Sequence, residues 1–539
     1  MENNTKEFIK GEIFSPVFDL EKQYAKYHGI LKNAQEGKVV TRFPPEPSGY
    51  LHVGHCKAAL LNYHYAKIYK GDMLLRFDDT NPVKEKGEFV ESILADLKTL
   101  GISWSKLSYT SDYFDKMFEL LKGLISEGKA YLDNTPVEQM RQERIKKIES
   151  ACRNQTPEKN LEIFDLMLQG KAEDYCVRAK INMQDNNGCL RDPVMARASN
   201  VPHHKTGTKY KVYPTYDFAC PIVDSVEGVT HVLRTNEYAD RIPQYMWVLD
   251  ALKWPRLEIY EYSRLNFEYT CLSKRKLNWF VTTNQVEGWS DPRFPTLRGV
   301  LRKGVRVETL VEFMLEQGPS KRSNLMEWEK LWAINKRIID PICPRFSAVS
   351  VNKASRLKVI NGPEEPVAVT VEMSKLNKNL GKRPMWRSNN ILIEFDDAET
   401  ILNEGVKVTL MNWGNFKILS KEKKEDGSYF MTGEFLPEDT DFKTTKKITW
   451  LADDTNLIVA NLTEYDHLIK SKKIDENQNF EELVNVNSKF TTQAFVDSGI
   501  RLLNESNFCF IQIHFYNFRG EVITELIRST RRERISSMI

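Results

Sequence analysis

The sequence predicts an α/β protein with a doubly wound, Rossmann-like parallel-sheet domain. This domain is expected to carry an insertion and to be followed by a helical connector and C-terminal all-β barrel domains. Residues 38–129 alternate short apolar runs with stretches of helical spacing, and such a β-α-β-α order is typical of a parallel sheet covered by helices. From residue 348 onward, short alternating strands between turns replace the helical periodicity, which favours β-barrels.

The predicted elements of the first part place polar residues at one edge of its sheet. Ligands of doubly wound sheets bind at the carboxyl ends of the strands. His52 and Asp78 each follow a predicted strand, so both are expected on the binding edge. In chain order the predicted elements are a strand at 39–42, a helix at 56–70, a strand at 73–77 and a helix at 85–100.

Breaks in this alternation predict six stretches along the chain. Charged, helix-like residues from 137 to 170 do not continue the β-α pattern, which favours an insertion between two halves of the sheet. The pattern resumes at Val212. In order, the predicted stretches are a polar lead-in (1–36), the first half of the nucleotide-binding domain (37–130), the insertion (131–211), the second half (212–290), a helical connector (291–345) and two β-barrels (346–539).

Composition limits the classes of function that the chain can have. Its 539 residues carry a formal net charge of +3, so any contact with nucleic acid must come from a local patch. The eight cysteines include no Cys-x-x-Cys pair, which argues against a zinc knuckle or a disulfide framework and favours reduced thiols. The longest apolar runs fall short of the roughly 18–20 residues of a membrane span, and residues 1–10 lack the apolar core of a signal peptide. We therefore expect a cytoplasmic protein without membrane contacts.

The segment His52-Val53-Gly54-His55 predicts a site for a nucleoside triphosphate. It follows a predicted strand and a Pro/Gly-rich loop, and it opens a predicted helix. A helix N-terminus offers unpaired N–H groups and a positive partial charge, and the imidazoles add hydrogen-bond donors where charge collects during attack at the α-phosphorus. By itself the pattern should arise by chance in roughly one such sequence in a hundred, and the alternative is a helix start with capped histidines.

A second motif, residues 271–277, contains Ser273, Lys274 and Arg275. A loop with a hydroxyl group and clustered cations could close over a triphosphate and neutralise the leaving pyrophosphate. In isolation this segment would be interpreted as an exposed basic turn. Its pairing with the upstream histidine motif favours the catalytic interpretation.

Together the two motifs resemble the signature pair of class I aminoacyl-tRNA synthetases. Residues 42–52, 75–82 and 213–218 are similar to the glutamyl/glutaminyl subgroup, and the resemblance runs from about residue 38 to 346. It is close to the glutamyl-tRNA synthetases of eukaryotic and archaeal (cytosolic) type. This resemblance implies an insertion that grips the acceptor end of tRNA and two barrels that read the anticodon. Cys271 stands where many class I enzymes have lysine, so Lys274 and its basic neighbours must contact the phosphates.

The resemblance also implies the residues of the site. Asp78 and Tyr216 are the implied contacts of the α-ammonium group, and Arg42 and Arg234 those of the substrate side chain. A carboxylate beside a phenol can hold an ammonium, and two guanidiniums can hold a second carboxylate. Alternatively, Asp78 caps a helix near Pro82 and Tyr216 is a core residue. The implied catalytic residues are His52, His55 and Lys274, and the implied ATP contacts are His52, Gly54, His55, Arg264, Leu265, Ser273, Lys274 and Arg275.

Arg234 decides between glutamate and glutamine as the expected substrate. Glutaminyl enzymes of the resembling subgroup carry an uncharged residue there, and a buried arginine facing a neutral amide would lack a counter-ion, at a cost of about 3–5 kcal/mol. The resemblance thus implies a glutamate–tRNA ligase. It would form glutamyl-adenylate from L-glutamate and ATP, with Mg²⁺ sharing the charge, and transfer the glutamyl group to the 3′-terminal adenosine of tRNA(Glu).

Three alternatives stay open at this point. A glutaminyl-tRNA synthetase would share nearly every motif. A smaller nucleotidyltransferase would leave the insertion and the β-rich region without a role, and a non-catalytic tRNA-binding scaffold predicts damaged motifs. His203 and His204 are interpreted as part of an exposed turn, so no structural metal is expected. The basic residues 531–534 are interpreted as a solvated tail, and the sequence does not indicate contacts with other synthetases or accessory proteins.

Overall fold

The computed structural model of the protein describes residues 20–318, 320–322, 325–454, 457–474, 478–502 and 525–527. The chain forms two compact units. The first contains residues up to Ser290, Pro295–Arg298 and Val307–Leu331, and the second contains Asp291–Phe294, Gly299–Arg306 and the residues from Trp332 onward. The predicted basic tail at 531–534 and residues 1–19 of the predicted lead-in lie outside the described residues.

Helices and strands alternate through the first unit and into the start of the second. In order they are α1 (Leu20–Tyr27), β1 (Val40–Phe43), α2 (Val53–Ile68), β2 (Asp72–Phe77), α3 (Gly87–Thr99), β3 (Lys106–Tyr109), α4 (Phe114–Ser126), β4 (Ala130–Asp133), α5 (Val137–Lys146), α6 (Pro157–Leu168), β5 (Cys176–Ala179), β6 (Val194–Ala198), β7 (Val212–Pro214), α7 (Tyr216–Val226), β8 (His231–Thr235), α8 (Ile242–Ala251), β9 (Glu258–Tyr262), β10 (Asn266–Phe267), α9 (Lys274–Thr282), α10 (Leu297–Arg302), α11 (Val307–Gln317), β11 (Leu325–Met326) and α12 (Trp328–Ile339).

A parallel sheet organises the first unit. β1 pairs with β2 and β2 with β3, both in parallel, and β8 pairs in parallel with β9. The Thr230 amide donates to the Val40 carbonyl oxygen at 2.9 Å, and the Val40 amide donates to Thr230 Oγ1 at 2.8 Å, which places β8 beside β1. The strands therefore run β3-β2-β1-β8-β9, and the order reverses at β1. This arrangement confirms the predicted doubly wound sheet and puts its switch point between β1 and β8.

Burial explains why these segments are strands. Five of the six residues of β2 are buried, as expected for a parallel strand that is covered on both faces. The observed α2 begins at Val53, three residues before the predicted helix, because His52 caps its first turn. The observed α3 begins at Gly87 with Lys86 at its N-cap.

An antiparallel sheet lies between the two halves of the parallel sheet in the chain. Its strands are ordered β4-β5-β6-β7, with α5 and α6 inserted between β4 and β5. Phe114, Phe164, Tyr213 and Phe218 are buried in one apolar cluster that joins this sheet to α4, α6 and α7. The cluster packs beneath β6 and β7, and the connection between these strands contacts the loop after β2.

The second unit is rich in β-structure, as predicted. A seven-stranded, barrel-like sheet is ordered β20-β17-β18-β19-β13-β16-β21 around the buried Trp450, a four-stranded sheet is ordered β12-β23-β22-β24, and β14 and β15 form a separate pair. The elements are β12 (Ala348–Ser350), β13 (Ser355–Val359), β14 (Val367–Glu372), β15 (Lys382–Arg387), β16 (Asn390–Ile393), α13 (Phe395–Thr400), β17 (Lys407–Leu410), β18 (Gly414–Lys423), β19 (Tyr429–Leu436), β20 (Lys446–Ile448), β21 (Trp450–Ala452), β22 (Ile458–Tyr465), β23 (Lys489–Val496) and β24 (Glu525–Ile527). Among the helices of the described part of the chain, none has the length and apolar composition to cross a membrane.

Candidate active site

Two histidines cap the first turn of α2 and stack on each other. His52 Nδ1 accepts hydrogen bonds from the amides of Gly54 at 3.1 Å and His55 at 3.4 Å, and His55 Nδ1 accepts one from the His52 amide at 3.2 Å. Their ring centroids are 3.7 Å apart. A Cβ at Gly54 would lie 2.9 Å from His52 Cε1, so this arrangement requires glycine. Because both Nδ1 atoms accept hydrogen bonds from amides, each neutral ring carries its proton on Nε2.

Electrostatics keeps both rings neutral. Burial, with Lys274 and Arg264 nearby, lowers the pKa of His52 to about 3. Burial and the neighbouring His52 lower the pKa of His55 well below its usual range. At neutral pH the two imidazoles are therefore hydrogen-bond donors through Nε2 and do not exchange protons.

A downstream segment holds the start of α2 in place. The Val53 amide donates to the Pro295 carbonyl oxygen at 2.9 Å, and the Leu297 amide donates to the Leu51 carbonyl oxygen at 2.9 Å. Sequence reasoning did not identify this segment, because its contribution is made by backbone groups that any residue could supply.

The second predicted motif lies against the loop that precedes His52. Lys274 is the first residue of α9, and its Nζ donates to Ser48 Oγ at 2.7 Å. Ser48 Oγ donates in turn to Glu46 Oε2 at 2.8 Å. A Cβ at Gly49 would lie 3.5 Å from the Cδ and Cε atoms of Lys274, so the lysine stem packs closely over that loop. The structure thus brings together the two motifs that the sequence paired.

The other predicted ATP contacts differ from one another in their exposure to solvent. Leu265 is buried, whereas Arg264, Ser273 and Arg275 are exposed. Arg264 Nη1 donates to Glu237 Oε1 at 2.9 Å. Burial lowers the pKa of Lys274, which Glu46 partly opposes.

Arg42 is held in a buried ionic network near the carboxyl end of β1. Its Nε donates to Asp224 Oδ1 at 3.0 Å and its Nη1 to the Leu233 carbonyl oxygen at 3.1 Å. Arg76 of β2 donates to the same Asp224 Oδ1 at 2.5 Å, and Tyr245 donates to Asp224 Oδ2 at 2.9 Å. Burial alone would raise the pKa of Asp224, but the two arginines lower it well below its usual range. Arg42 therefore has a fixed carboxylate partner inside the protein.

Arg234, at the corresponding end of β8, has a different environment. Its side chain is buried, with 5% of the residue exposed, and no carboxylate of the described residues lies within ion-pair distance. Three aromatic rings enclose its guanidinium carbon, those of Tyr238 at 4.7 Å and of Tyr216 and Tyr245 at 5.6 Å. Its Nε has no hydrogen-bond partner in the part of the chain that the structure describes. A buried cation in this state is electrostatically incomplete and fits an incoming anion.

Asp78 and Tyr216 lie on either side of the switch point. Asp78 follows β2, and its amide donates to the Pro45 carbonyl oxygen at 3.0 Å. Burial raises the pKa of Asp78 to about 7, which Arg76 opposes. Tyr216 is half-buried as the first residue of α7, and burial raises its pKa well above the usual range, so its hydroxyl group stays protonated. Because α3 has Lys86 at its N-cap, Asp78 does not cap that helix.

The prediction that His203 and His204 form part of an exposed turn is wrong. The turn closes by two hydrogen bonds between His203 and Gly207, and it directs both rings inward, so that His203 is 2% exposed. The Nε2 atoms of both histidines lie 3.5 Å from Asp79 Oδ2. The side chains of adjacent residues point in different directions in an extended segment, and the prediction assumed this geometry. In this tight turn, the two adjacent rings face the same carboxylate.

These three side chains bring potential metal ligands within 4.8 Å of one another. However, His203 Nδ1 accepts from the amides of Lys205 at 3.2 Å and Thr206 at 3.1 Å. The proton of this ring is therefore on Nε2, which donates to the Asp79 carbonyl oxygen at 2.8 Å. In this arrangement His203 acts as a hydrogen-bond donor and has no lone pair to offer an ion.

Sequence reasoning missed Asp224, although the sequence contains a signal for it. Tyr216, Cys220 and Asp224 are spaced by four residues and share one face of α7. That face is otherwise apolar and buried, so its carboxylate required a buried cation. Arg76, the one charged residue among the buried residues of β2, indicates where in the sequence that cation lies.

Comparison with known proteins identifies the family to which the chain belongs. A model of the catalytic domain of class I tRNA synthetases (E and Q) matches residues 38–341, and two models of the anti-codon binding domain of the same synthetases match residues 343–433 and 447–512. The chain is 48% identical over 476 residues to a cytoplasmic glutamate–tRNA ligase of Arabidopsis thaliana and 46% identical over 485 residues to one of Saccharomyces cerevisiae. It is 46% identical over 487 residues to a bifunctional glutamate/proline–tRNA ligase of Mus musculus.

The matches cover 88%, 89% and 89% of this chain, respectively. The chain spans 66% and 68% of the length of the first two relatives and 32% of the third. The catalytic-domain match alone takes up more than half of the 539 residues. The chain therefore belongs to the class I tRNA synthetases of the E and Q type.

Proposed function

We propose that the protein is a glutamate–tRNA ligase. It forms glutamyl-adenylate from L-glutamate and ATP and transfers the glutamyl group to the 3′-terminal adenosine of tRNA(Glu). The observation that carries this proposal is Arg234, a buried guanidinium without a carboxylate partner in the described residues, at the switch point of the sheet. The relatives named glutamate–tRNA ligases support the same activity.

Glutamate is held at both of its charged ends. Arg234 donates to the side-chain carboxylate, and Arg42, which keeps N–H groups beyond its bonds to Asp224 and Leu233, adds to the positive potential there. The Asp78 carboxylate and the Tyr216 hydroxyl group bind the α-ammonium. Glutamine would leave Arg234 without a counter-ion, which costs about 3–5 kcal/mol and is ample for discrimination.

Activation is an in-line displacement on ATP, which enters as its Mg²⁺ complex. An oxygen of the glutamate α-carboxylate bonds to the α-phosphorus while the bond from that phosphorus to the bridging oxygen breaks, and pyrophosphate leaves. The Nε2–H groups of His52 and His55 donate to the phosphate oxygens, beside the N-terminus of α2. Lys274 neutralises charge on the departing phosphates.

The remaining predicted contacts belong to the same ATP site. Leu265 offers an apolar surface to the nucleoside, and Gly54 leaves space for close approach. The exposed Arg264, Ser273 and Arg275 lie at the rim, where they can contact ATP as it binds.

Transfer to tRNA needs no protein nucleophile. The 2′-hydroxyl group of the terminal adenosine attacks the activated carbonyl carbon, and AMP leaves. The antiparallel insertion would hold the acceptor end, and the second unit, which matches anti-codon binding domains, would contact the anticodon. The names of the relatives support a cytoplasmic location.

The test is the charging of total tRNA with labelled glutamate and, separately, with labelled glutamine, in the presence of ATP and Mg²⁺. Charging with glutamate alone supports the proposal. Charging with glutamine alone would replace it with a glutaminyl-tRNA synthetase, and charging with neither would favour a non-catalytic tRNA-binding protein.

A further inference from the structure

The loop after β2, residues 78–86, is held by three parts of the chain that are distant in sequence. The Asp78 amide donates to the Pro45 carbonyl oxygen at 3.0 Å. The amide and Oγ of Ser111 donate to the two carboxylate oxygens of Asp79 at 2.8 and 2.6 Å. His203 Nε2 donates to the Asp79 carbonyl oxygen at 2.8 Å. The first two contacts come from the catalytic domain, and the third comes from the β6–β7 connection of the insertion.

His203 is suited to this contact as a permanent donor. Its Nδ1 is committed to the Lys205 and Thr206 amides, and burial lowers its pKa, so the ring stays neutral with its proton on Nε2. It is 2% exposed, so water does not compete for the bond.

Glu85 lies next to this contact, and burial raises its pKa to about 9, so its carboxyl group is protonated at neutral pH. Oε2 of Glu85 lies 3.7 Å from His203 Nε2 and has no hydrogen-bond partner among the described residues. Its Oε1 accepts from the Asn81 amide at 2.7 Å, which closes the loop on itself. If His203 lost its N–H group, the buried Asp79 carbonyl would lose this hydrogen bond, and we expect the loop to shift as Asp79 turns toward another donor such as the Glu85 carboxyl group.

Such a shift would move Asp78, which is bonded to Asp79 through one peptide unit. We propose that His203 is a positioning residue for amino-acid recognition: its Nε2–H holds the Asp79 carbonyl and thereby keeps the Asp78 carboxylate where it receives the α-ammonium group of the substrate. This inference rests on the proposed function. It adds a direct link between the insertion and the amino-acid pocket.

Two variants separate the donor from the bulk of the ring. His203→Leu removes the N–H group at similar size, whereas His203→Gln can place an amide N–H near the position of Nε2. We expect His203→Leu to raise the KM for glutamate about tenfold or more, since a buried acceptor loses the donor that it has among the described residues. The KM for ATP should stay within about twofold, and His203→Gln should recover most of the loss. His204→Leu is the matched control, because this neighbouring ring makes no hydrogen bond to the Asp79 carbonyl oxygen among the described residues.

A ligand without the ammonium group makes the test specific. Glutarate carries both carboxylates but no ammonium, so its inhibition constant should be the same for the wild type and for His203→Leu. Equal weakening of glutarate, glutamate and ATP, or a His203→Gln variant no better than His203→Leu, would overturn the inference. If His203→Leu does not fold, Ser111→Ala, which removes one of the donors to Asp79, should show a smaller effect with the same selectivity for glutamate.

Failure of this inference can be told apart from failure of the proposed function. A wild-type protein that charges no tRNA with glutamate overturns the proposed function and the inference together. A wild type that charges glutamate, with an unchanged glutamate KM in His203→Leu, overturns the inference alone. Amide hydrogen exchange in residues 78–86 gives a second reading, and we expect it to speed up in His203→Leu but not in His204→Leu.

Discussion

Lys274 Nζ lies 2.7 Å from Ser48 Oγ, although the two residues are 226 positions apart in the chain. This bond joins the start of α9 to the loop before α2, so the cation and the two histidine donors approach the same space. Glu46 accepts from Ser48 and contributes a negative charge near the ammonium group. The lysine therefore has a polar partner, which under the proposed function it would exchange for a phosphate.

We expect Lys274→Ala to slow formation of the adenylate by about 10²–10³-fold, as removal of a group that stabilises transition-state charge does elsewhere. Glutamate binding should persist, because the proposed amino-acid pocket does not include this residue. Pre-steady-state measurement of adenylate formation gives the rate, and calorimetry gives the binding. An unchanged rate in Lys274→Ala would defeat the assignment.

Arg234→Met should reduce kcat/KM for glutamate by a factor of at least about 10², corresponding to the loss of the counter-ion of the side-chain carboxylate. The measurement is charging of tRNA at varied glutamate concentration. The stability of the protein should be unchanged or slightly higher, because a buried cation without a carboxylate partner in the described residues is replaced by an apolar group. Retained charging with glutamate would contradict the proposed role of this residue.

Arg42→Met should behave differently in the same measurements. Arg42 is ion-paired with Asp224, and breaking a buried pair by removing one partner costs about 3–5 kcal/mol. We therefore expect a clear loss of thermal and urea stability in Arg42→Met, alongside any loss of activity. Comparison with Arg234→Met separates the two arginines, and equal stability of the two variants would show that their environments do not differ as described.

The affinity for glutamate should rise with pH around neutrality. Burial raises the pKa of Asp78 to about 7, and only the ionised carboxylate binds an ammonium. Below this pKa, each unit by which the pH falls should raise the KM for glutamate about tenfold, and above it the KM should level off. Asp78→Asn should remove this dependence and leave a KM that is high throughout. A KM that falls with decreasing pH would exclude Asp78 as the ammonium contact.

The sequence was sufficient to predict the sheet and the pairing of the two motifs. The alternation of strand and helix is a local pattern, and His52 and Lys274 belong to short segments with recognisable chemistry. Asp224 was not predicted, because its role depends on two arginines from different strands that meet only in the folded chain. The inward direction of His203 was missed for the same reason: its partner, Asp79, is 124 residues away.

Arg42 and Arg234 show that the residue type alone does not predict the electrostatic environment of a buried side chain. The resemblance implies both as contacts of the substrate side chain, and both are buried. Only the three-dimensional structure reveals that one has a carboxylate partner and that the other is surrounded by tyrosines. Under the proposed function, this difference leaves Arg234, and not Arg42, available to pair with the side-chain carboxylate of the substrate.

The reciprocal capping of His52 and His55 affects the free energy with which ATP would bind under the proposed function. Each ring is already oriented by the backbone of its own helix, so neither has rotamers to lose when a triphosphate arrives. ATP would therefore bind without an entropic penalty from these side chains, and more of its binding free energy would remain available for closing the Lys274 segment over the phosphates.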